Sequence, residues 1–211
     1  MENKKKRIII SALISLIIFV ALTIAVIQQN STMNSIDLSI QQKVSTIRTS
    51  SGISFFQTLT TILNPETLIA ILALMGFYFY YKKKNKLAGF LILGAGLSFI
   101  IKELLSLLIQ RTRPIPYFID AISFSFPSGH AIGATVFFLI LFFILRPKIK
   151  SKLSRTLILM ISIIIFLLAS FARIYLNVHW FSDVLASIFL GTFVICLSWL
   201  IVTRNKYSSL N

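Results

Sequence analysis

Acidic residues are scarce in this chain: six in 211, set against 21 lysines and arginines. Charged residues make up 13% and hydrophobic ones 56%, so charge is at about half the level of an ordinary soluble domain. The sequence carries several apolar runs of about 20 residues, the length that crosses a bilayer core. One soluble core cannot hide them, which excludes a purely soluble protein. The formal net charge of +15 would suggest nucleic acid in a soluble chain. Here the basic residues sit in short clusters between apolar runs, as the positive-inside rule expects, so no nucleic-acid partner is implied. Cysteine is nearly absent: Cys196 stands alone in an apolar run, cannot form an internal disulfide and says nothing about redox compartment. Histidine is nearly absent too, with His130 and His179 alone.

What is present reads as an all-α, polytopic membrane protein of six transmembrane helices with both termini cytoplasmic. Lys4 to Arg7 precede an apolar run from Ile8 to Ile27. That run is longer than a signal-peptide core and ends in Gln28-Gln29-Asn30 rather than a small-residue cleavage site, so it is expected to remain as a first helix. Residues 31–54 are polar with scattered apolar positions, an external loop or a short amphipathic helix on the membrane surface. Further spans are expected near 58–81, 87–109, 128–145, 156–176 and 182–203, with Asn64-Pro65 blurring the outer end of the second. With six spans, the basic clusters at 4–7, 82–86, 146–155 and 204–206 (Arg204 and Lys206) all fall on one side. No internal repeat is evident, and residues 1–211 read as a single membrane domain.

The opposite side collects the chemistry. Gln110-Arg111-Thr112-Arg113-Pro114 closes the third span, and Pro127-Ser128-Gly129-His130 opens the fourth. Arg173, His179 and Asp183 straddle the junction of the fifth and sixth. Ser128 is a favoured N-cap, and a helix N-terminus offers unpaired N–H groups and a positive dipole end to phosphate. Gly129 lets an anion approach the backbone, with His130 in the first turn. A plain turn opening a helix explains the same four residues. His179 and Asp183 lie one helical turn apart on one face. A carboxylate on one ring nitrogen would fix the tautomer and free the other to attack. Arg173 can grip phosphate bidentately; a snorkelling arginine beside an interfacial Trp180 is the plainer reading. Arg111 and Arg113 run against the positive-inside bias, which calls for an anionic partner.

These residues resemble the type 2 phosphatidic acid phosphatase superfamily, whose site is shared with vanadium haloperoxidases. The family pattern is Lys-x6-Arg-Pro, Pro-Ser-Gly-His and Ser-Arg-x5-His-x3-Asp. The second motif stands complete at 127–130. The third matches at Arg173, His179 and Asp183, with Ala172 in place of its serine. The first retains Arg113-Pro114, but Ser106 stands where its lysine belongs. Lys102, one turn earlier on the same helix face, and Arg111 are the candidate replacements; the backward lean of helical side chains works against Lys102. The region that carries the site is about 102–183.

The resemblance implies a lipid phosphatase that needs neither metal nor cofactor. His179 would attack phosphorus to form a phosphohistidine, with Asp183 holding its ring. His130 would protonate the leaving oxygen and later activate water. Arg113, Arg173, Ser128 and the Gly129 N–H would bind the phosphoryl oxygens. It further implies a cytoplasmic-membrane protein with its active site facing outside, and a membrane lipid phosphate as partner. The expected substrate is undecaprenyl pyrophosphate, with phosphatidylglycerol phosphate or phosphatidic acid as alternatives. Membrane embedding speaks against a haloperoxidase. A lipid-binding or transport protein with a degenerate site is the alternative class, and the intact histidine pair with Asp183 argues against it, because binding alone needs no nucleophile.

Overall fold

The computed structural model describes residues 2–119 and 123–204; Lys206 of the last basic cluster lies outside them. Eight α-helices account for most of it: α1 (Glu2–Ile27), α2 (Ser31–Thr46), α3 (Ser50–Ile62), α4 (Pro65–Tyr81), α5 (Asn85–Ile109), α6 (Gly129–Leu145), α7 (Lys152–Tyr175) and α8 (Phe181–Val202). Five segments are long and apolar enough to cross a membrane: α1, the α3–α4 pair read together, α5, α7 and α8. The sixth apolar helix, α6, has 17 residues and is about 26 Å long, short of the ~30 Å hydrocarbon core. The chain is therefore an all-helical, multi-pass membrane protein.

The expected spans and the helices agree closely, and the differences have local causes. Pro65 cannot continue α3, because it lacks the N–H that a helix interior needs. The chain breaks at Leu63-Asn64, and the Asn64 side chain accepts from the Glu66 N–H at 3.0 Å to cap α4. The polar stretch 31–54 is not a loop. It forms α2 and the start of α3.

α8 is the central post, packed against α1, α5, α6 and, at its start, α2. Lipid gives helices no hydrophobic drive to associate, so close approach of backbones has to hold them together. Gly191 of α8 lies where a Cβ would come within 3.0 Å of the Thr135 side chain on α6, and Gly133 of α6 where one would meet Pro65 of α4 at 3.3 Å. The outward faces of α1, α4, α5 and α7 are apolar, with Ile17, Phe77, Leu108 and Leu153 widely exposed, as a lipid-facing belt requires.

The basic loops gather at one end. Lys148 lies 5.9 Å over the Phe79 ring, Gly89 is next to Val202, and Arg7 shares a crevice with Thr192. At the other end the segment Ser125 to Ser128 is buried. It is non-helical backbone dipping into the bundle above the short α6, tolerated because protein surrounds it.

Candidate active site

Four strands of chain converge at that second end. α7 stops because Asn177 adopts a left-handed φ of 57°, which asparagine tolerates better than most residues. The carbonyl of Arg173 then accepts from the N–H groups of Val178 (3.1 Å) and His179 (3.2 Å). This turn delivers His179 to the bundle axis. α8 begins two residues later, and Asp183 in its first turn accepts from the Trp180 N–H at 2.9 Å, so the carboxylate also caps the helix.

The His179 ring is held from both sides. Nδ1 lies 2.6 Å from the backbone carbonyl of Ser125, and the Arg113 guanidinium approaches Nε2 at 3.1 Å. A carbonyl can only accept and a guanidinium can only donate. The proton therefore sits on Nδ1, and the Nε2 lone pair accepts from Arg113, with both residues on the cavity wall. The sequence expectation gave this tautomer-fixing bond to Asp183. The structure gives it to Ser125, with Asp183 Oδ2 3.7 Å from Nδ1. Asp183 is next to it, close enough to stabilise positive charge on the ring, and the Ser125 hydroxyl donates to that same Oδ2. Burial lowers His179 to about 4, with Arg173 and Arg113 adding to the effect against the opposing pull of Asp183. The imidazole is neutral at physiological pH.

His179 opens onto a cavity of about 320 Å³ lined also by Lys102, Arg113, Gly129, His130 and Arg173. His130 projects from the first turn of α6. Arg113 is anchored by the carbonyls of Ser123 (2.7 Å), Phe124 (3.0 Å) and Val178 (2.6 Å). Arg173 differs: it is 3% exposed, yet its Nε and Nη1 have no hydrogen-bond partner among the described residues. A buried guanidinium without an anion is costly, and here it lines a cavity with two other cations. Away from that cluster the cavity turns apolar, running between α4, α5 and α6 along Leu68, Leu72, Phe99 and Val136. The shape suits a charged head with a greasy tail.

Residues 87–207 match the PAP2 superfamily. The chain belongs to that superfamily. The PAP2 relatives include phosphatidylglycerophosphatase B of Bacillus subtilis (strain 168), 31% identical over 118 residues. That match covers 55% of this chain and spans 57% of the relative's length. The fold is shared with the crystal structure of a transmembrane PAP2 type phosphatidylglycerolphosphate phosphatase from Bacillus subtilis: TM-score 0.78 and 24% identity, covering 94% of this chain and 99% of that one. Aquifex aeolicus LpxE is similar at TM-score 0.56 and 20% identity, over 80% and 94% of the two chains.

Against the PAP2 pattern, the expected residues divide into two groups. His130, His179, Arg113, Arg173, Gly129 and Lys102 meet at the cavity. Ser128 and Arg111 stand behind it. Ser128 is buried, its side chain capping α6 at the Ala131 N–H (3.5 Å) and its own N–H donating to Ser187 (2.8 Å). Arg111 is spent on two carboxylates, Asp183 at 2.5 Å and Asp37 at 2.7 Å, which leaves it no fork for substrate. Of the two candidate replacements for the missing first-motif lysine, Lys102 is the one that reaches. Its Nζ would lie 4.0 Å from a Cβ on Gly129, though it also pairs with Glu103 at 2.8 Å. Asp37, Gln41, Ser125 and Ser187 escaped the sequence reading. Asp37 alone left a trace, as one of six acids, inside an otherwise acid-free segment.

Proposed function

We propose that this protein is a lipid phosphate phosphatase working through a phosphohistidine on His179, with no requirement for metal. The observation that carries the reading is Arg173, a buried guanidinium whose Nε and Nη1 have no partner among the described residues, lining the same cavity as two histidines and two further cations. Phosphoryl transfer depends chiefly on positioning and on cations around the equatorial oxygens. Arg113, Arg173 and Lys102 supply those charges, and the Gly129 N–H at the start of α6 adds a backbone donor. His179 Nε2 forms a bond to phosphorus as the ester bond to the leaving oxygen breaks, and His130 gives that oxygen its proton. His130 then takes a proton from water, which attacks the phosphohistidine and restores the free His179. Ser125 holds the Nδ1 proton throughout, while Asp183 balances the positive charge on the ring.

The basic end of the bundle is assigned to the cytoplasm, on the positive-inside rule. That puts both termini inside and the site at the outer face of the cytoplasmic membrane, with residues 1–211 acting as one domain. Two observations favour phosphatidylglycerol phosphate over undecaprenyl pyrophosphate as substrate. Two of the three relatives above, both from Bacillus subtilis, bear that lipid's name. Glu66 and Glu103 also line the cavity, where carboxylates would accept glycerol hydroxyls and repel a second phosphate.

Phosphate release from a panel of phosphatidylglycerol phosphate, phosphatidic acid and undecaprenyl pyrophosphate, with a chelator present, tests the reading. Release should survive chelation and be fastest from phosphatidylglycerol phosphate. An inactive protein that still binds these lipids would favour the transport or binding class instead.

A further inference from the structure

We propose that Asp37 is a positioning residue for catalysis, acting through Arg111 to hold the Asp183 carboxylate behind His179. The inference rests on the phosphatase reading above. α2 is a surface helix whose buried face is partly polar: Ile36 and Leu38 are exposed, while Asp37 and Gln41, one turn apart, are buried together with Val44 against the catalytic turn. Asp37 is 1% exposed. Its Oδ1 accepts from the Ser182 N–H at 2.9 Å, and its Oδ2 from the Ser182 hydroxyl at 2.6 Å and from Arg111 Nη2 at 2.7 Å. Arg111 Nη1 turns the other way, to Asp183 Oδ1 at 2.5 Å and the Ser182 hydroxyl at 2.7 Å. The Gln41 side chain reaches the backbone carbonyl of His179 at 3.3 Å.

Neither Asp37 nor Arg111 lines the catalytic cavity, so neither touches substrate. The guanidinium fork fixes Asp183 in one orientation only while both ends of it are held. Without Asp37 the outer end loses its anion, Arg111 is held only by Ser182 and Asp183, and the Oδ1 end of the Asp183 carboxylate is less firmly fixed, while Trp180 and Ser125 still hold Oδ2. The charge next to Nδ1 is then less firmly placed at the step in which the ring becomes positive. α2 thereby ties a helix at the membrane surface to the geometry of the nucleophile.

The test compares the wild type, Asp37→Asn, Arg111→Gln and the double variant as full-length protein in detergent. The probe is short-chain, 32P-labelled phosphatidylglycerol phosphate, followed both at steady state and as the quenched rate of label transfer to protein. Asparagine keeps the shape and the Ser182 contact but removes the charge. In Asp37→Asn, kcat and label transfer should fall together by about tenfold or more, with KM within about threefold and the thermal unfolding midpoint retained. The double variant should be no worse than Arg111→Gln alone, because two parts of one device do not fail twice. An unchanged kcat, a loss seen only in KM, multiplicative losses in the double variant, or variants that do not fold would each overturn the positioning role. A wild type inactive on the probe would overturn the phosphatase reading and this inference together, whereas an active wild type with an unaffected Asp37→Asn overturns this inference alone.

Discussion

In the proposed mechanism His179 meets substrate as a neutral imidazole, because its surroundings refuse it a second proton. Burial and two arginines outweigh Asp183 and hold it near 4, below the ordinary 6.5. The unfolded chain therefore takes up a proton between those values that the folded one does not. The contribution of His179 to stability is complete above 6.5 and is lost as the pH falls through 4. The same shift sets the reaction's acid limit: kcat/KM should show no His179 titration at 6.5 and should fall near 4. A pH–rate profile with an acid limb centred at 6.5 would show an ordinary exposed imidazole instead. Arg173 carries a second residue-scale expectation. Since its Nε and Nη1 have no partner among the described residues, Arg173→Gln should cost about 100-fold or more in kcat/KM while lowering unfolding stability by no more than about 1 kcal/mol. A large stability loss on calorimetry would make Arg173 a structural residue.

Among the elements, α5 and α2 show what a sequence can and cannot reveal. The motif residues were legible because each lies within a few positions of its neighbours: Pro127 to His130 on one helix start, Arg173 to Asp183 across one turn. α5 posed a harder question, the absent lysine at 106. Ser106 is buried and does not line the cavity, whereas Lys102 does. Lys102→Ala should thus lower kcat/KM about ten- to hundredfold, and Ser106→Lys should bring no gain; a gain from Ser106→Lys would mean the site lacks a cation after all. α2 was legible as a short helix but not in its contacts, and the reason is physical. Amphipathicity reveals which side of a helix is polar, and the usual inference sends that side to water. Here the buried face of α2 mixes both kinds of residue, Asp37 and Gln41 beside Val44, so Asp37 and Gln41 were invisible as partners of Arg111 and His179. The bond from Ser125 to His179 was illegible too, because a backbone carbonyl leaves no mark on residue identity.

For the whole molecule, the separation of charge and chemistry to opposite ends fixes an orientation that can be measured. In a Cys196→Ser background, Ser45→Cys on α2 should react with a membrane-impermeant maleimide added to intact cells. Lys83→Cys, in the α4–α5 loop, should react only after the membrane is opened. Labelling in the reverse order would turn the protein over and place the site at the cytoplasmic face. The six apolar rods were legible from hydropathy. The burial of the irregular segment from Ser125 to Ser128 at the outer end of α6 was not, because its depth follows from packing rather than from composition.

The phosphohistidine is the claim on which the rest depends. Full-length protein mixed with 32P-labelled phosphatidylglycerol phosphate and chelator, quenched in base and digested, should carry acid-labile label on the peptide containing His179. His179→Ala should carry none. Label on another residue, or phosphate release at the wild-type rate by His179→Ala, would contradict the account.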